Sequence, residues 1–171
     1  MIVGWIGSPS TAVYLDILRE VFKELAKRPE VKIKLIGAGK YKLDGAEIIN
    51  VPWSYQTEVA ELQSFDIGLM PMPDNEWTRG KLGCKMLQYM AVGVPAVVSY
   101  TPTNAEVITD GINGFLINSE KEWVEKILRL IKDPILRRNI GSSGRKTVEE
   151  RFSVMVNAPK LKEALEQSFG G

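Results

Sequence analysis

Histidine is absent from this chain. Its absence removes the commonest general base, the Ser-His and Cys-His nucleophile pairs, and most transition-metal sites. A single cysteine, Cys84, excludes a disulfide within the chain and any cysteine zinc cluster. No Asp-x-Asp pair occurs, so the expectation is no metal and no cofactor. Every apolar run falls short of the roughly 20 residues that span a bilayer, so no transmembrane segment is expected. Charge of one sign is also lacking. The formal net charge is +1 over 171 residues, which gives no electrostatic case for nucleic acid or an acidic membrane. The chain opens like a strand rather than a charged leader, and a reducing, cytoplasmic setting is the expectation.

What is present is ordinary globular material, 44% hydrophobic and 25% charged. Residues 1–171 fit one domain with a full core. Apolar runs predict strands over 1–6, 31–36, 46–51, 67–72 and 96–99. Helical spacing of Tyr14, Leu15, Leu18, Val21, Phe22 and Leu25 predicts a helix over 11–27, capped by Ser10. Further helices are predicted over 57–65, with Val59 and Leu62 inward, and over 86–92. Ser119 and Glu122 form a capping-box signature, another helix follows Pro134, and a terminal helix over 153–169 is disturbed at Pro159. Strands alternating with helices imply an α/β fold: a Rossmann-like, doubly wound parallel sheet with helices on both faces. Ligands bind such sheets at the carboxyl ends of the strands, so the loops at 7–10, 37–41, 52–56, 73–81 and 100–105 should share one rim.

The stretch 80–116 concentrates the chemistry. Two polar loops there each open into a helix N-terminus, where unpaired N–H groups and the helix dipole suit a phosphate. Lys81 and Lys85 lie at a helix start, a place that disfavours cations unless an anion is bound. They are the residues expected to grip such an anion, with Glu106 a candidate beside them in the second loop. Glu106 also stands at capping-box spacing from Thr103, so it has a structural reading beside the functional one. Thr103 and Asn104, in the second loop, join the expected ligand-facing set. Gly7 and Ser8 allow close approach of a phosphate, although Gly7 also serves a simple turn. Arg79 has the same options as the lysines. Trp53 and Tyr55 either flank a base or pack as a lid on the rim. Cys84 reads as a small packing residue.

The same stretch carries a resemblance. Gln88-Tyr89-Met90-Ala91, Gly93-Val94-Pro95-Ala96-Val97-Val98, Glu106-Val107-Ile108, Asp110-Gly111 and Asn113-Gly114-Phe115 resemble the carboxyl-terminal, donor-binding half of group 1 retaining glycosyltransferases of the GT-B fold. The resemblance implies a nucleotide-sugar-binding domain that moves a sugar from a nucleoside diphosphate donor to an acceptor hydroxyl with retention. It also implies a missing acceptor-binding N-terminal domain, in cis or in trans, and leaves room for an acceptor at a membrane surface. The isolated chain is expected to lack efficient turnover. Two positions depart from the family pattern. The glutamate implied to meet the ribose falls on Gln88, and the glutamate implied near the donor sugar falls on Gly80. An amide still donates and accepts, so Gln88 remains a ribose candidate, and Gln88→Glu is expected to preserve or improve binding. The first strand–helix loop also lacks the family's usual cations. These departures motivate an alternative, a non-catalytic nucleotide- or sugar-nucleotide-binding module of the same architecture. A receiver domain lacks support because no acidic cluster follows the first strand. A dinucleotide oxidoreductase lacks it because no Gly-x-Gly-x-x-Gly does.

Overall fold

The computed structural model describes residues 1–169; Gly170 and Gly171, the end of the expected domain, lie outside the described residues. Six strands form one sheet: β1 (Ile2–Ile6), β2 (Lys32–Ile36), β3 (Ile48–Val51), β4 (Ile67–Met70), β5 (Ala96–Ser99) and β6 (Phe115–Ile117). They pair in the order β3-β2-β1-β4-β5-β6, and every ladder is parallel. Helices cover both faces, which is why β4 and β5 are buried at every position and read as unbroken apolar runs. Five strands lie where those runs place them. β6 is an addition; three residues behind Gly114 carry too little pattern to separate from a loop.

The segment between β1 and β2 is two helices rather than one. A 3-10 helix spans Pro9–Leu18 and passes into α1 (Arg19–Ala26). Ala12, Leu15 and Leu18 are the buried residues of the 3-10 helix, and their spacing of three matches its three residues per turn. Ser8, not Ser10, holds the N-cap position; the Ser10 hydroxyl meets that of Ser8 at 2.8 Å instead. The remaining helices are α2 (Glu58–Gln63), α3 (Glu76–Arg79), α4 (Cys84–Ala91), α5 (Pro102–Ala105), α6 (Glu120–Lys132), α7 (Pro134–Arg151) and α8 (Val154–Phe169). Val59, expected inward, is exposed, while Leu62 is buried. The expected loop at 73–81 contains α3, whose cap Asn75 accepts from the Thr78 amide at 2.9 Å. Ser119 caps α6, accepting from Glu122 N at 3.4 Å. α8 continues through Pro159, and its residues 158–168 are exposed, so it packs on the domain only at its start.

The two faces have separate cores. The 3-10 helix, α1 and α6 bury Leu15, Phe22, Leu25, Trp123 and Ile127 against one face. α2, α4 and the chain after them bury Leu62, Phe65, Tyr89 and Met90 against the other. On that second face Gly4 of β1 pairs with Gly68 of β4. A Cβ at either would overlap an aromatic ring, Phe65 over Gly4 and Tyr89 over Gly68. The two rings tilt at 53° with centroids 6.2 Å apart. The pairing of β1 with β4 stops at these glycines, and the Tyr89 hydroxyl joins the two strands beyond them. It accepts from Ile6 N at 3.1 Å and donates to Leu69 O at 3.0 Å. The strand order reverses at this boundary, the point where an open α/β sheet leaves a crevice. Among the described residues no helix is long and apolar enough to cross a membrane.

Candidate functional site

The rim is built by stepping from strand end to strand end. Gly7, just past β1, donates to Ile36 O at 3.0 Å, and Gly37, just past β2, donates to Val51 O at 2.9 Å. Gly37 has φ +74°, and a side chain there would collide with the Gly7 carbonyl. The β3 loop follows, with the Trp53 side chain beginning beside Gly37. Trp53 is 51% exposed and Tyr55 80% exposed.

Lys85 crosses the switch point from the other side. It stands in the first turn of α4, and its Nζ lies 4.8 Å from the centroid of the buried Trp5 ring. It donates to Thr11 Oγ1 at 3.3 Å, and Thr11 Oγ1 donates in turn to Ser8 O at 3.1 Å. The absence of a side chain on Gly7 makes room, since a Cβ there would press on Trp5 and on Lys85 Cε. No carboxylate pairs with Lys81 or Lys85 among the described residues. Burial, and then the charge of Lys81, lower the Lys85 ammonium to about 8. Lys81 itself is exposed in the turn before α4, and its carbonyl accepts from Thr103 Oγ1 at 3.1 Å. α4 begins at Gly83 with no side chain capping it. Two uncompensated amines at an uncapped helix N-terminus leave a positive site open to an anion.

Gln88 lies three residues beyond Lys85 on the same helix face. Its Nε2 donates to Glu58 Oε1 at 2.7 Å, a partner on α2 that sequence reasoning missed. The contact spans 30 positions, and no local spacing announces it.

Other expected residues are placed differently. Asn104 is fully buried; its Nδ2 donates to Ser99 O at 3.0 Å and so holds the end of β5, while its Oδ1 has no hydrogen-bond partner. The cap of α5 is Thr101, which accepts from Asn104 N at 3.1 Å, rather than the expected Thr103–Glu106 pair. This second helix N-terminus therefore already has a side-chain cap and is only one turn long. Glu106 closes α5, exposed, with Arg151 Nη2 bonded to its carbonyl at 3.2 Å. Arg79 is held in a two-pronged pair with Asp74, at 2.6 and 2.9 Å, and is not a free cation. Cys84 is exposed at the start of α4 rather than packed.

A groove of about 850 Å³ does not coincide with the lysines. It runs past Asp16, Arg19, Asp74, Arg79, Tyr100 and Trp123. Its cations are already compensated, Arg19 by Asp16 at 3.4 Å and Arg79 by Asp74. The open rim at Lys85 is the better anion site because its charge is unpaired. Among the described residues no group of three His, Cys, Asp or Glu side chains converges to hold a metal.

A family model described as Glycosyl transferases group 1 matches residues 1–133. The GDP-mannose-dependent monoacylated alpha-(1-6)-phosphatidylinositol monomannoside mannosyltransferase of Corynebacterium glutamicum is 25% identical over 167 residues, covering 88% of this chain and 43% of that protein. The crystal structure of Anabaena Alr3699/HepE in complex with UDP-glucose superposes with a TM-score of 0.79 at 18% identity, covering 97% of this chain and 48% of the other. The C-terminal domain of a group 1 family glycosyl transferase, LpcC, from Francisella tularensis gives 0.67 at 20% identity, with 90% and 86% covered. The chain spans less than half the length of the curated relatives it matches. Its fold is that of a Rossmann-like GT-B carboxyl-terminal domain. By its sequence over most of its length and by its fold, the chain belongs to the group 1 glycosyltransferases.

Proposed function

We propose that this chain is the donor-binding half of a glycosyltransferase that moves a sugar from a nucleoside diphosphate to an acceptor hydroxyl with retention. The observation that carries the reading is the pair of uncompensated lysines, Lys81 and Lys85, at the uncapped N-terminus of α4. Positive charge placed where the diphosphate departs stabilises the transition state without a proton donor, which suits a chain that lacks histidine. A relative named for GDP-mannose dependence and a structural neighbour holding UDP-glucose support a nucleoside diphosphate as the ligand class. The acceptor is met by a second half, in cis or in trans, that closes the open rim.

Calorimetric titration with UDP, GDP, UMP and GMP tests the site. Each charge-assisted hydrogen bond contributes about 1.5–3 kcal/mol, so one diphosphate should bind at least several-fold more tightly than its monophosphate. EDTA should leave the affinity unchanged, because lysines compensate the charge. Equal affinity for both forms, or loss with EDTA and recovery with magnesium, would overturn the assignment.

One observation favours a second reading, a binding module without chemistry. Gly80 supplies no carboxylate, and the space around it is open, with nothing within 4 Å of where a Cβ would stand. Release of diphosphate from a UDP- or GDP-sugar by the protein joined to its second half supports transfer. Binding without release supports the module.

A further inference from the structure

Tyr89 of α4 is fully buried, and its ring covers Gly68, where a Cβ would overlap it. Its hydroxyl stands between two strands, accepting from Ile6 N at 3.1 Å and donating to Leu69 O at 3.0 Å. We propose that Tyr89 is a positioning residue for the donor site: its hydroxyl takes the place of one rung of the β1–β4 ladder, holds the carboxyl ends of those strands apart, and keeps open the crossing by which Lys85 reaches the rim. The proposal rests on the donor-binding reading above and names what sets the position of its lysine.

Register carries the argument. β1 and β4 pair Val3 with Ile67 and Gly4 with Gly68. Bonds in a parallel ladder are evenly spaced, so the rung after Gly4 would join the Ile6 N–H to the Leu69 carbonyl. Those are the two groups that the Tyr89 hydroxyl separates. A direct rung is one bond of about 2.9 Å. Here two bonds in series span the same gap. The need to satisfy buried polar groups does not account for the oxygen. A phenylalanine ring would fill the same space, and the two backbone groups would then have each other. What the oxygen adds is width. Burial pushes the phenol pKa up, so the hydroxyl keeps the proton that it donates to Leu69 O.

The width falls where the site needs it. Lys85 stands four residues before Tyr89, on the same face of α4. Met86, Tyr89 and Met90 of this helix belong to the core on one face of the sheet. Trp5 belongs to the core on the other, and Thr11 lies in the 3-10 helix that covers that face. Lys85 meets both, with Nζ 4.8 Å from the Trp5 ring centroid and 3.3 Å from Thr11 Oγ1. Its side chain therefore passes from one face to the other, over Gly7 at the end of β1. Gly7 follows Ile6, whose N–H the hydroxyl holds off β4. Closing the rung would draw Ile6 and Gly7 toward β4 and into the path of the lysine.

The test is a variant set on the full chain: wild type, Tyr89→Phe, Lys85→Met and the two together. Each is melted to verify folding and titrated with UDP, GDP, UMP and GMP. In isotope-labelled protein, the scalar coupling transmitted across a hydrogen bond reports whether Ile6 N–H meets Leu69 C=O directly. It should be absent in wild type and present in Tyr89→Phe. Tyr89→Phe should weaken diphosphate binding by about tenfold and monophosphate binding by less. On the Lys85→Met background it should cost nothing further, because it acts through that amine. Tyr89→para-aminophenylalanine puts a nitrogen that both donates and accepts in the place of the hydroxyl. It should fold and keep wild-type affinity, and it carries the test alone where Tyr89→Phe does not fold. Lower stability with unchanged affinity among folded molecules, a loss that adds to that of Lys85→Met, or a folded para-aminophenylalanine variant that no longer binds the diphosphate would overturn the positioning role. A wild type that binds neither diphosphate overturns the donor-site reading and this inference with it.

Discussion

The Lys85 amine sits over the Trp5 ring with Lys81 nearby and no carboxylate in reach. Its ordinary pKa is 10.5, and burial with the Lys81 charge lowers it to about 8. Between those values the unfolded chain holds the proton that the folded protein has lost. Stability of the empty protein therefore rises with pH through that window, and the charged amine is a standing strain below it. A bound diphosphate reverses the balance, since the complex keeps the proton. Affinity for a diphosphate should then fall as pH rises above about 8, approaching tenfold per unit, and Lys85→Met should flatten the profile. Calorimetry from pH 7 to 10 measures this; a flat wild-type profile would remove Lys85 from the site. Lys85 was readable in the sequence because a cation at a helix start contradicts the dipole. Glu58 was not, because its partner is 30 positions away. The tie from Asn104 to the carbonyl of Ser99 was not legible either, because a polar residue in a rim loop shows in sequence no sign of which backbone group it secures.

Between elements, α7 comes up close against the turn that follows α4. A Cβ on Gly141 would collide with the Gly93 carbonyl and press on Pro95, and one on Gly144 would crowd Asn113 O and Met90. Gly141→Ala gains up to about 1 kcal/mol in helix propensity. The collision forces the two elements apart and should outweigh that, for a net loss of about 1–3 kcal/mol. α4 carries Lys85 and Gln88, so nucleotide affinity should fall as well. A urea midpoint that rises instead would show that the contact yields easily. Helix and strand positions were largely legible because apolar runs and capping residues are local signals. The 3-10 helix was misjudged because Leu15 and Leu18 were absorbed into a longer α pattern beginning at Tyr14, which left out Ala12 and with it the spacing of three. The α5 cap was shifted because Thr103, with Glu106 three residues on, carries the capping-box signature and Thr101 does not, and only the fold shows Thr101 to be the cap.

At the scale of the whole molecule, the alternation of strands and helices was enough to place the rim loops together, and the strand order 3-2-1-4-5-6 puts the crevice where β1 meets β4. What alternation does not encode is how far the terminal helix adheres. α8 leaves Val154, Met155, Leu161 and Leu165 exposed, and only Val156 and Asn157 among residues 154–168 are half-buried. Ending the chain after Phe152 should therefore change stability by no more than about 1 kcal/mol and leave nucleotide affinity intact. Paired denaturant melts and titrations would show otherwise if α8 belonged to the core.

The ten-residue 3-10 helix has one more consequence, and it is a matter of pitch. At about 2.0 Å per residue it covers about 20 Å, where an α-helix of the same residues would cover about 15 Å. Each residue that passes from one pitch to the other draws the rim end back by about 0.5 Å. It also turns the chain by about 20°, carrying Ala12 and Leu15 off the core. The core thus sets the winding, and the winding sets where Ser8 and Thr11 stand relative to Lys85. The reach of that loop is tuned by how tightly the chain behind it is wound, without a residue being added or removed.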